Sequence, residues 1–187
     1  MENTTTYSTL NKVFNLHIDG SYYDTYNLAS GGGCLLDGDK VLHSFVDLLP
    51  SHIPFNFHEY FGLAHSLAKC LSLGIHNVDV QTDCLSLLQD IEKLRNGSTV
   101  SDTTLKVIQD LNILPMIDKF QSFQFKHVLR GQNKLADYLV GSFLDKHITT
   151  NKLVKLFNKN DKIYHNDSKF YHAPEKTITK STLKNIK

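Results

Sequence analysis

The chain lacks the features that mark membrane, secreted and disulfide-rich proteins. It has 187 residues, with no tryptophan, four prolines and three cysteines. It contains no long apolar run and no charged-then-apolar leader, so we expect neither a membrane span nor a secretory signal. Cys34, Cys70 and Cys84 are scattered and odd in number, which fits neither a zinc site nor a disulfide framework. We interpret them as buried thiols and expect a reducing, cytoplasmic location.

Basic residues are scarce in most of the chain and concentrated at its end. Residues 1–150 carry 11 Lys or Arg and 16 Asp or Glu, a balance of −5, whereas residues 151–187 carry nine Lys and three acids, a balance of +6. This asymmetry fits an anionic partner held partly by the tail, and a solvated terminus without a partner explains it equally well. We predict a flexible terminus at 1–11, one domain at 12–147 and a basic, lysine-rich tail at 148–187.

The most informative stretch is a strand that leads into an acid. Phe14, Leu16 and Ile18 alternate with polar residues, which predicts a half-buried strand from about Val13 to Asp19. A carboxylate at the end of a buried strand is costly unless something positive binds it. We therefore treat Asp19 as a candidate site residue.

The rest of the chain predicts an α/β fold. Asp37-Gly38 between two apolar runs is typical of a hairpin, so the chain opens with three antiparallel strands. After these three strands we expect, in order, a helix at 57–73, a strand at 78–83, helices at 85–94 and 102–119, a strand at 123–128 and a helix at 134–146. Pro115 is expected to bend or interrupt the helix at 102–119. This order predicts a five-stranded mixed sheet, three antiparallel strands and then two parallel crossovers, with helices on both faces.

Three further acids are expected to meet Asp19. Helical crossovers place the strand that ends in Asp83 beside the first strand, while Glu59 and Asp137 each lie in the first turn of a helix. Taken singly, each acid is typical of a turn or a helix cap. Together they would repel, and Mg²⁺ or Mn²⁺ removes that cost because hard cations take carboxylate oxygens. Two such ions roughly 4 Å apart can promote phosphodiester cleavage.

Four motifs in this order resemble type 1 ribonuclease H. They are Asp19-Gly20-Ser21 followed by Gly31-Gly32-Gly33, then His58-Glu59-Tyr60, then Val78–Asp83, and finally Val128–Asp137, in which Asn133 and Asp137 stand four apart. The resemblance covers about residues 12–147. It implies a ribonuclease H-like fold and metal-dependent hydrolysis of the RNA strand of RNA/DNA hybrids.

The resemblance also implies a set of site residues. Asp19, Glu59, Asp83 and Asp137 would hold two Mg²⁺, with Mn²⁺ as a substitute. The residues expected to contact the substrate are Gly20, Ser21, Asn56 and Asn133. The expected partner is an RNA/DNA hybrid, with the basic tail on the phosphate backbone. We expect a monomer that does not bind membranes.

The sequence departs from the best-known bacterial pattern of that family. The turn before Asp137 is short and has no histidine, and Arg130 stands seven residues before Asp137, which is similar to the archaeal-type branch. Arg130 would then contact a phosphate or help product leave; the alternative is a surface arginine paired with an acid. There is no tryptophan-bearing basic protrusion, and Leu85 stands where a polar base contact is common. His127 is interpreted as a surface strand residue.

Two other functions remain open. One is a nucleic-acid-binding or interaction domain that has this fold without catalysis, although clustered negative charge would oppose phosphate binding. The other is a 3′→5′ exonuclease on a related fold, a class that usually has Asp-x-Glu in the first strand. Ser21 occupies the third position here, which argues against it.

Overall fold

A computed structural model describes residues 12–161, with side chains for residues 12–150. Contacts divide the chain into two units, Met1–Ile148 and Thr149–Lys187, and the first contains the sheet and the candidate site. The predictions for residues 1–11 and for most of the basic tail fall outside the described residues. Among the described helices, none combines the length and apolar character needed to cross a membrane.

A five-stranded mixed sheet forms the centre of the first unit. Its strands are β1 (Phe14–Tyr23), β2 (Leu28–Asp37), β3 (Lys40–Leu48), β4 (Asn77–Thr82) and β5 (Ser122–His127). The order is β3-β2-β1-β4-β5, in which β1, β2 and β3 pair antiparallel and β4 pairs parallel with both β1 and β5. The predicted fold class is confirmed.

Helices cover both faces of this sheet. They are α1 (His58–Ser72), α2 (Leu85–Arg95), α3 (Asp102–Asp110), α4 (Ile113–Ile117) and α5 (Lys134–Asp161). Successive strand residues point to opposite faces. Ser30 Oγ donates a hydrogen bond to the Val140 carbonyl of α5 at 3.0 Å, whereas a Cβ on the next residue, Gly31, would lie 2.7 Å from the His58 carbonyl of α1. The two helices therefore lie on opposite faces.

The first strand is longer than its apolar pattern predicts. Gly20–Tyr23 pair with Leu28–Gly31 of β2, so backbone hydrogen bonds extend β1 through a polar segment. On its other side, β1 pairs with β4 only from Phe14 to His17. Asp19 therefore lies inside an antiparallel ladder but just beyond the end of the parallel one.

Two helical predictions need correction. The expected helix at 102–119 is broken at Asn112, whose φ of +54° is left-handed, and Pro115 lies in the first turn of α4, where its missing N–H is tolerated. The last helix does not end near Lys146. Val140, Leu144 and Ile148 continue a buried stripe at every fourth residue, which outweighs the weak helix propensity of the Thr149-Thr150 pair.

Close backbone contact brings α1 against the sheet beside Asp19. A Cβ on Gly62 would lie 2.4 Å from the Asp19 carbonyl oxygen, and one on Gly31 would lie 2.6 Å from the Gly62 nitrogen. Only glycine permits this approach, because it has no Cβ. The apolar core holds the helix there, and its fully buried side chains include Leu16, Ile18, Leu63, Leu67, Leu87 and Ile91.

Candidate active site

Asp19 is the most buried acid of the site. Its side chain is 5% exposed, and one carboxylate oxygen accepts a hydrogen bond from the Gly20 N–H at 2.9 Å. Burial, and after it the negative charges of Asp83 and Asp137, raise the pKa of Asp19 to about 7. The Gly20 N–H offsets this only in part. Asp19 is therefore a carboxylate that lacks a compensating positive group.

Glu59 is brought to Asp19 by the first turn of α1. Burial is the main cause that raises the pKa of Glu59 to about 9, and the charges of Asp19 and Asp83 add to it. One of its oxygens, Oε2, is buried and accepts no hydrogen bond. A buried polar atom without a partner costs about 1–3 kcal/mol, so this oxygen is suited to a ligand that is not part of the chain.

Asn133 ties Asp83 to β1. The Asn133 side chain is fully buried, and its amide donates hydrogen bonds to Asp83 Oδ1 at 2.8 Å and to the Ile18 carbonyl at 2.9 Å. A substrate contact was expected of Asn133, but its amide is not accessible in this structure. Its contacts instead orient Asp83 toward the end of β1.

Asp137 and Arg130 form the exposed side of the site. Arg130 lies in a 3₁₀ turn (Arg130–Gln132), and its Nη2 contacts Asp137 Oδ1 at 3.4 Å. The Arg130 side chain is 81% exposed and that of Asp137 is 50% exposed. The structure thus places Arg130 on the same edge as the acids. It also pairs Arg130 with an acid, which is the alternative role expected from the sequence.

The other residues expected to contact substrate lie within three residues of Asp19 or Glu59 in the chain. A Cβ on Gly20 would lie 2.7 Å from the Glu59 nitrogen, so Gly20 is required for β1 and α1 to meet. Ser21 is partly exposed on β1, and Asn56 is exposed in the turn that precedes α1. Leu85, which follows Asp83 by two residues, is 48% exposed and presents an apolar side chain at this edge.

Two histidines near the acids were not assigned to the site by sequence reasoning. His17 lies two residues before Asp19, on the same face of β1; burial lowers its pKa, and Asn133 and Asp79 partly offset this. The i, i+2 spacing would have revealed this shared face. The His127 ring lies 3.2 Å from the Asp83 carbonyl oxygen. That contact depends on how β5 pairs with β4, so no local sequence pattern predicts it.

The four acids suit a divalent cation. Among residues 12–150, no three His, Cys, Asp or Glu side chains already surround a single point as metal ligands. The carboxylates nevertheless lie close enough for their charges to add to the raised pKa values of Asp19 and Glu59, and Glu59 Oε2 lacks a partner. Oxygen ligands of this kind are those that Mg²⁺ and Mn²⁺ prefer, and a cation would replace repulsion between the carboxylates with attraction.

Known proteins with the same architecture include several ribonucleases. The RNase H1 of the halophilic archaeon Halobacterium salinarum NRC-1 has a TM-score of 0.61 at 21% identity, covering 72% of this chain and 99% of that one. The N-terminal RNase H domain of rv2228c from Mycobacterium tuberculosis scores 0.59 at 19% identity, covering 74% and 98%. LC11-RNase H1, solved in complex with RNA/DNA hybrid, scores 0.60 at 21% identity, covering 72% and 99%.

Sequence comparison identifies the family. No curated protein matches the chain. The family model described as reverse transcriptase-like matches residues 17–142, which contain all four acids, Arg130 and Asn133. The similar structures come from an archaeon, a mycobacterium and compost, so assignment to the archaeal-type branch stays a prediction. The chain belongs to the reverse transcriptase-like family and has the fold of type 1 ribonuclease H.

Proposed function

We propose that this protein is a metal-dependent endoribonuclease that hydrolyses the RNA strand of RNA/DNA hybrids. The observation that carries the proposal is the pair Asp19 and Glu59: Asp19 is 5% exposed, and the partly buried Glu59 has a buried Oε2 without a hydrogen-bond partner. Burial, and also nearby negative charge, raises the pKa of both acids. Such a pair either keeps protons or binds a positive ligand that offsets its cost, and the ligand is needed when both acids are ionised. The RNA/DNA hybrid bound to LC11-RNase H1 supports the choice of substrate.

Four acids would hold two Mg²⁺ or Mn²⁺ ions: Asp19, Glu59, Asp83 and Asp137. Bound there, the metal would offset the carboxylate charge and supply Lewis-acid activation for phosphodiester hydrolysis. Asn133 would keep Asp83 oriented through its 2.8 Å hydrogen bond. Arg130 would exchange its exposed contact with Asp137 for a substrate phosphate, which a guanidinium can hold with two parallel hydrogen bonds.

Substrate contacts would come from the rim of the site. Gly20 and Ser21 on β1, together with Asn56 before α1, lie around the acids and offer backbone and side-chain polar groups. We also propose a monomer in the cytoplasm. The three free cysteines support a reducing setting, since Cys34 and Cys70 are buried and Cys84 is half-buried.

Cleavage of a panel of substrates tests this function. The protein would be incubated with Mg²⁺ and labelled RNA/DNA hybrid, single-stranded RNA, double-stranded RNA and DNA. Internal cleavage of the RNA strand in the hybrid alone is the expected result. Binding without cleavage would indicate the non-catalytic domain, and stepwise removal of nucleotides from a 3′ end would indicate an exonuclease.

The basic tail is proposed to hold the phosphate backbone. Residues 151–187 carry nine lysines and three acids. A chain that ends at Thr150 should bind hybrid more weakly and with a shallower salt dependence, because fewer counterions are released on binding. Turnover at saturating substrate should survive. If the affinity of the shortened chain for hybrid falls with salt as steeply as that of the full chain, the tail does not contact the phosphate backbone.

A further inference from the structure

Three aromatic side chains stack together beside the acids. Tyr22 lies on β1, Phe55 lies in the turn before α1, and His58 is the first residue of α1. The ring centroids of Tyr22 and Phe55 are 5.1 Å apart at an interplanar angle of 21°, and those of Tyr22 and His58 are 6.4 Å apart at 19°. Each of the three residues is partly exposed. We call them the aromatic patch.

The aromatic patch lies beside the backbone segments that carry Asp19 and Glu59. A Cβ on Gly20 would lie 2.6 Å from His58 Cδ2, so the imidazole lies against the residue that follows Asp19. His58 also precedes Glu59 in the chain. Asn56, an expected substrate contact, is exposed in the same turn as Phe55. The patch is therefore adjacent along β1 and α1 to two of the acids and to an expected substrate contact.

Local hydrogen bonds hold the rings in place. His58 Nδ1 lies 2.6 Å from the Phe55 carbonyl oxygen, which can only accept, so Nδ1 carries the proton and donates. The Tyr22 hydroxyl donates to Asp24 at 2.9 Å. Side chains that are already ordered lose little conformational entropy when they bind a ligand. The patch is thus a preformed surface.

We infer that the aromatic patch is a nucleotide subsite, which packs the ring surface left exposed by the stack against sugars of the substrate next to the cleaved bond. The inference rests on the proposed function. Bases inside a duplex are stacked on each other, so their faces are covered, and the wide, shallow minor groove presents sugars, 2′-hydroxyls and base edges to a protein surface. The apolar edges of these sugars fit ring faces and carry no charge.

The charge of the domain explains why such a subsite is needed. Residues 1–150 have a balance of −5, and the chain contains no tryptophan. Apart from its basic tail, the acidic chain gains little from charge attraction to phosphates. An uncharged contact is therefore a second way to hold a hybrid near the acids. Aromatic contact depends less on salt than phosphate contact does.

Conservative substitutions of the rings test the subsite. Tyr22→Leu and Phe55→Leu keep apolar volume but remove the ring face, while Tyr22→Phe keeps the face and removes only the hydroxyl. Tyr26→Leu is the matched control, because Tyr26 is a 44% exposed tyrosine four residues away and outside the patch. Affinity of the full chain for labelled hybrid would be measured in EDTA over a range of salt, and KM and kcat with Mg²⁺. Circular dichroism melting would report folding.

The two leucine variants should bind hybrid about tenfold more weakly, as truncated aromatic anchors at interfaces do. Tyr22→Phe and Tyr26→Leu should stay within about twofold of wild type, on the same principle that only an anchor ring carries such a cost. KM should rise while kcat holds, and the salt slope should not change because no charge is removed.

Several results would overturn the subsite. Wild-type affinity and KM in either folded leucine variant would do so, as would a loss in Tyr22→Phe as large as in Tyr22→Leu, since the Asp24 contact would then matter instead of the ring. If wild type neither binds nor cleaves hybrid, the proposed function fails and the subsite with it. If wild type cleaves hybrid and the leucine variants match it, only the subsite fails.

Discussion

The candidate site has two halves that differ in their surroundings. The inner half, Asp19 and Glu59, is enclosed by β1 and α1, and burial together with nearby negative charge raises the pKa of both acids. The outer half, Asp137 and Arg130, stands at the start of α5 in water, with side chains 50% and 81% exposed. An exposed ion pair at 3.4 Å is screened and weak. The fold therefore imposes the geometry of the inner half, while the outer half can rearrange.

Neutral substitutions of the two inner acids, and of Asp83 beside them, should have the largest effect. Asp19→Asn, Glu59→Gln and Asp83→Asn should each lower hybrid cleavage by about a hundredfold or more, because each removes a carboxylate that would hold the metal, and with it electrostatic stabilisation of the reacting phosphate. Stability without metal should hold or rise, since each change relieves repulsion between acids. Initial rates with Mg²⁺ and thermal melting in EDTA check both parts. Full activity in Asp83→Asn would remove that residue from the site.

Two helical glycines test whether close approach shapes the inner half. Gly62→Ala would place a Cβ 2.4 Å from the Asp19 carbonyl oxygen. It should lower the free energy of unfolding by about 1–3 kcal/mol and reduce cleavage by displacing β1 from α1. Gly141 in α5 has open space where a Cβ would lie, so Gly141→Ala should raise stability by roughly 0.5–1 kcal/mol and leave cleavage unchanged. Equal changes of stability in the two variants would show that the close contact between Gly62 and the Asp19 carbonyl does not constrain the inner half.

The outer half should respond more mildly. Arg130→Ala should lower turnover by about tenfold, the worth of one charge-assisted contact, and Arg130→Lys should restore part of it, because an ammonium cannot hold two phosphate oxygens as a guanidinium does. Hybrid cleavage at saturating Mg²⁺ is the measurement. Rates equal to wild type in Arg130→Ala would leave Arg130 as a surface partner of Asp137 and confine the mechanism to the carboxylates.

Much of the fold could be predicted because its signals are local. Alternation at Phe14, Leu16 and Ile18 indicated a strand, and Asp37-Gly38 indicated a hairpin whose Gly38 has a φ of +58°. Chain order then placed β4 beside β1. The end of β1 could not be predicted in the same way, because Ser21–Tyr23 have no apolar pattern and are held by pairing with β2.

The inner half of the site was easier to anticipate than the contacts around it. The end of a predicted strand identifies Asp19, and the start of a predicted helix identifies Glu59. Neither prediction requires knowledge of the residues that pack against them. The burial of Asn133 depends on how α5 lies on the sheet, and the aromatic patch depends on where the turn at Phe55–Phe57 meets β1. These contacts join residues distant in sequence, so only the folded structure brings them together.

We propose that the inner acids are held together at a cost that a bound cation would remove. Their pKa values of about 7 and about 9 lie above the ordinary 3.8 and 4.5, so the native state keeps protons that the unfolded chain releases. Metal-free stability should therefore fall as pH rises from about 4 toward 9.

The most direct test is the shift in melting temperature caused by Mg²⁺, compared at pH 5 and pH 8 in wild type and Glu59→Gln. Mg²⁺ replaces protons on the acids, so it should raise the melting temperature of wild type more at pH 8 than at pH 5. The shift at pH 8 should be much smaller in Glu59→Gln, which lacks one of the two repelling charges. No Mg²⁺ shift in wild type at pH 8, or the same shift in both proteins, would contradict the account.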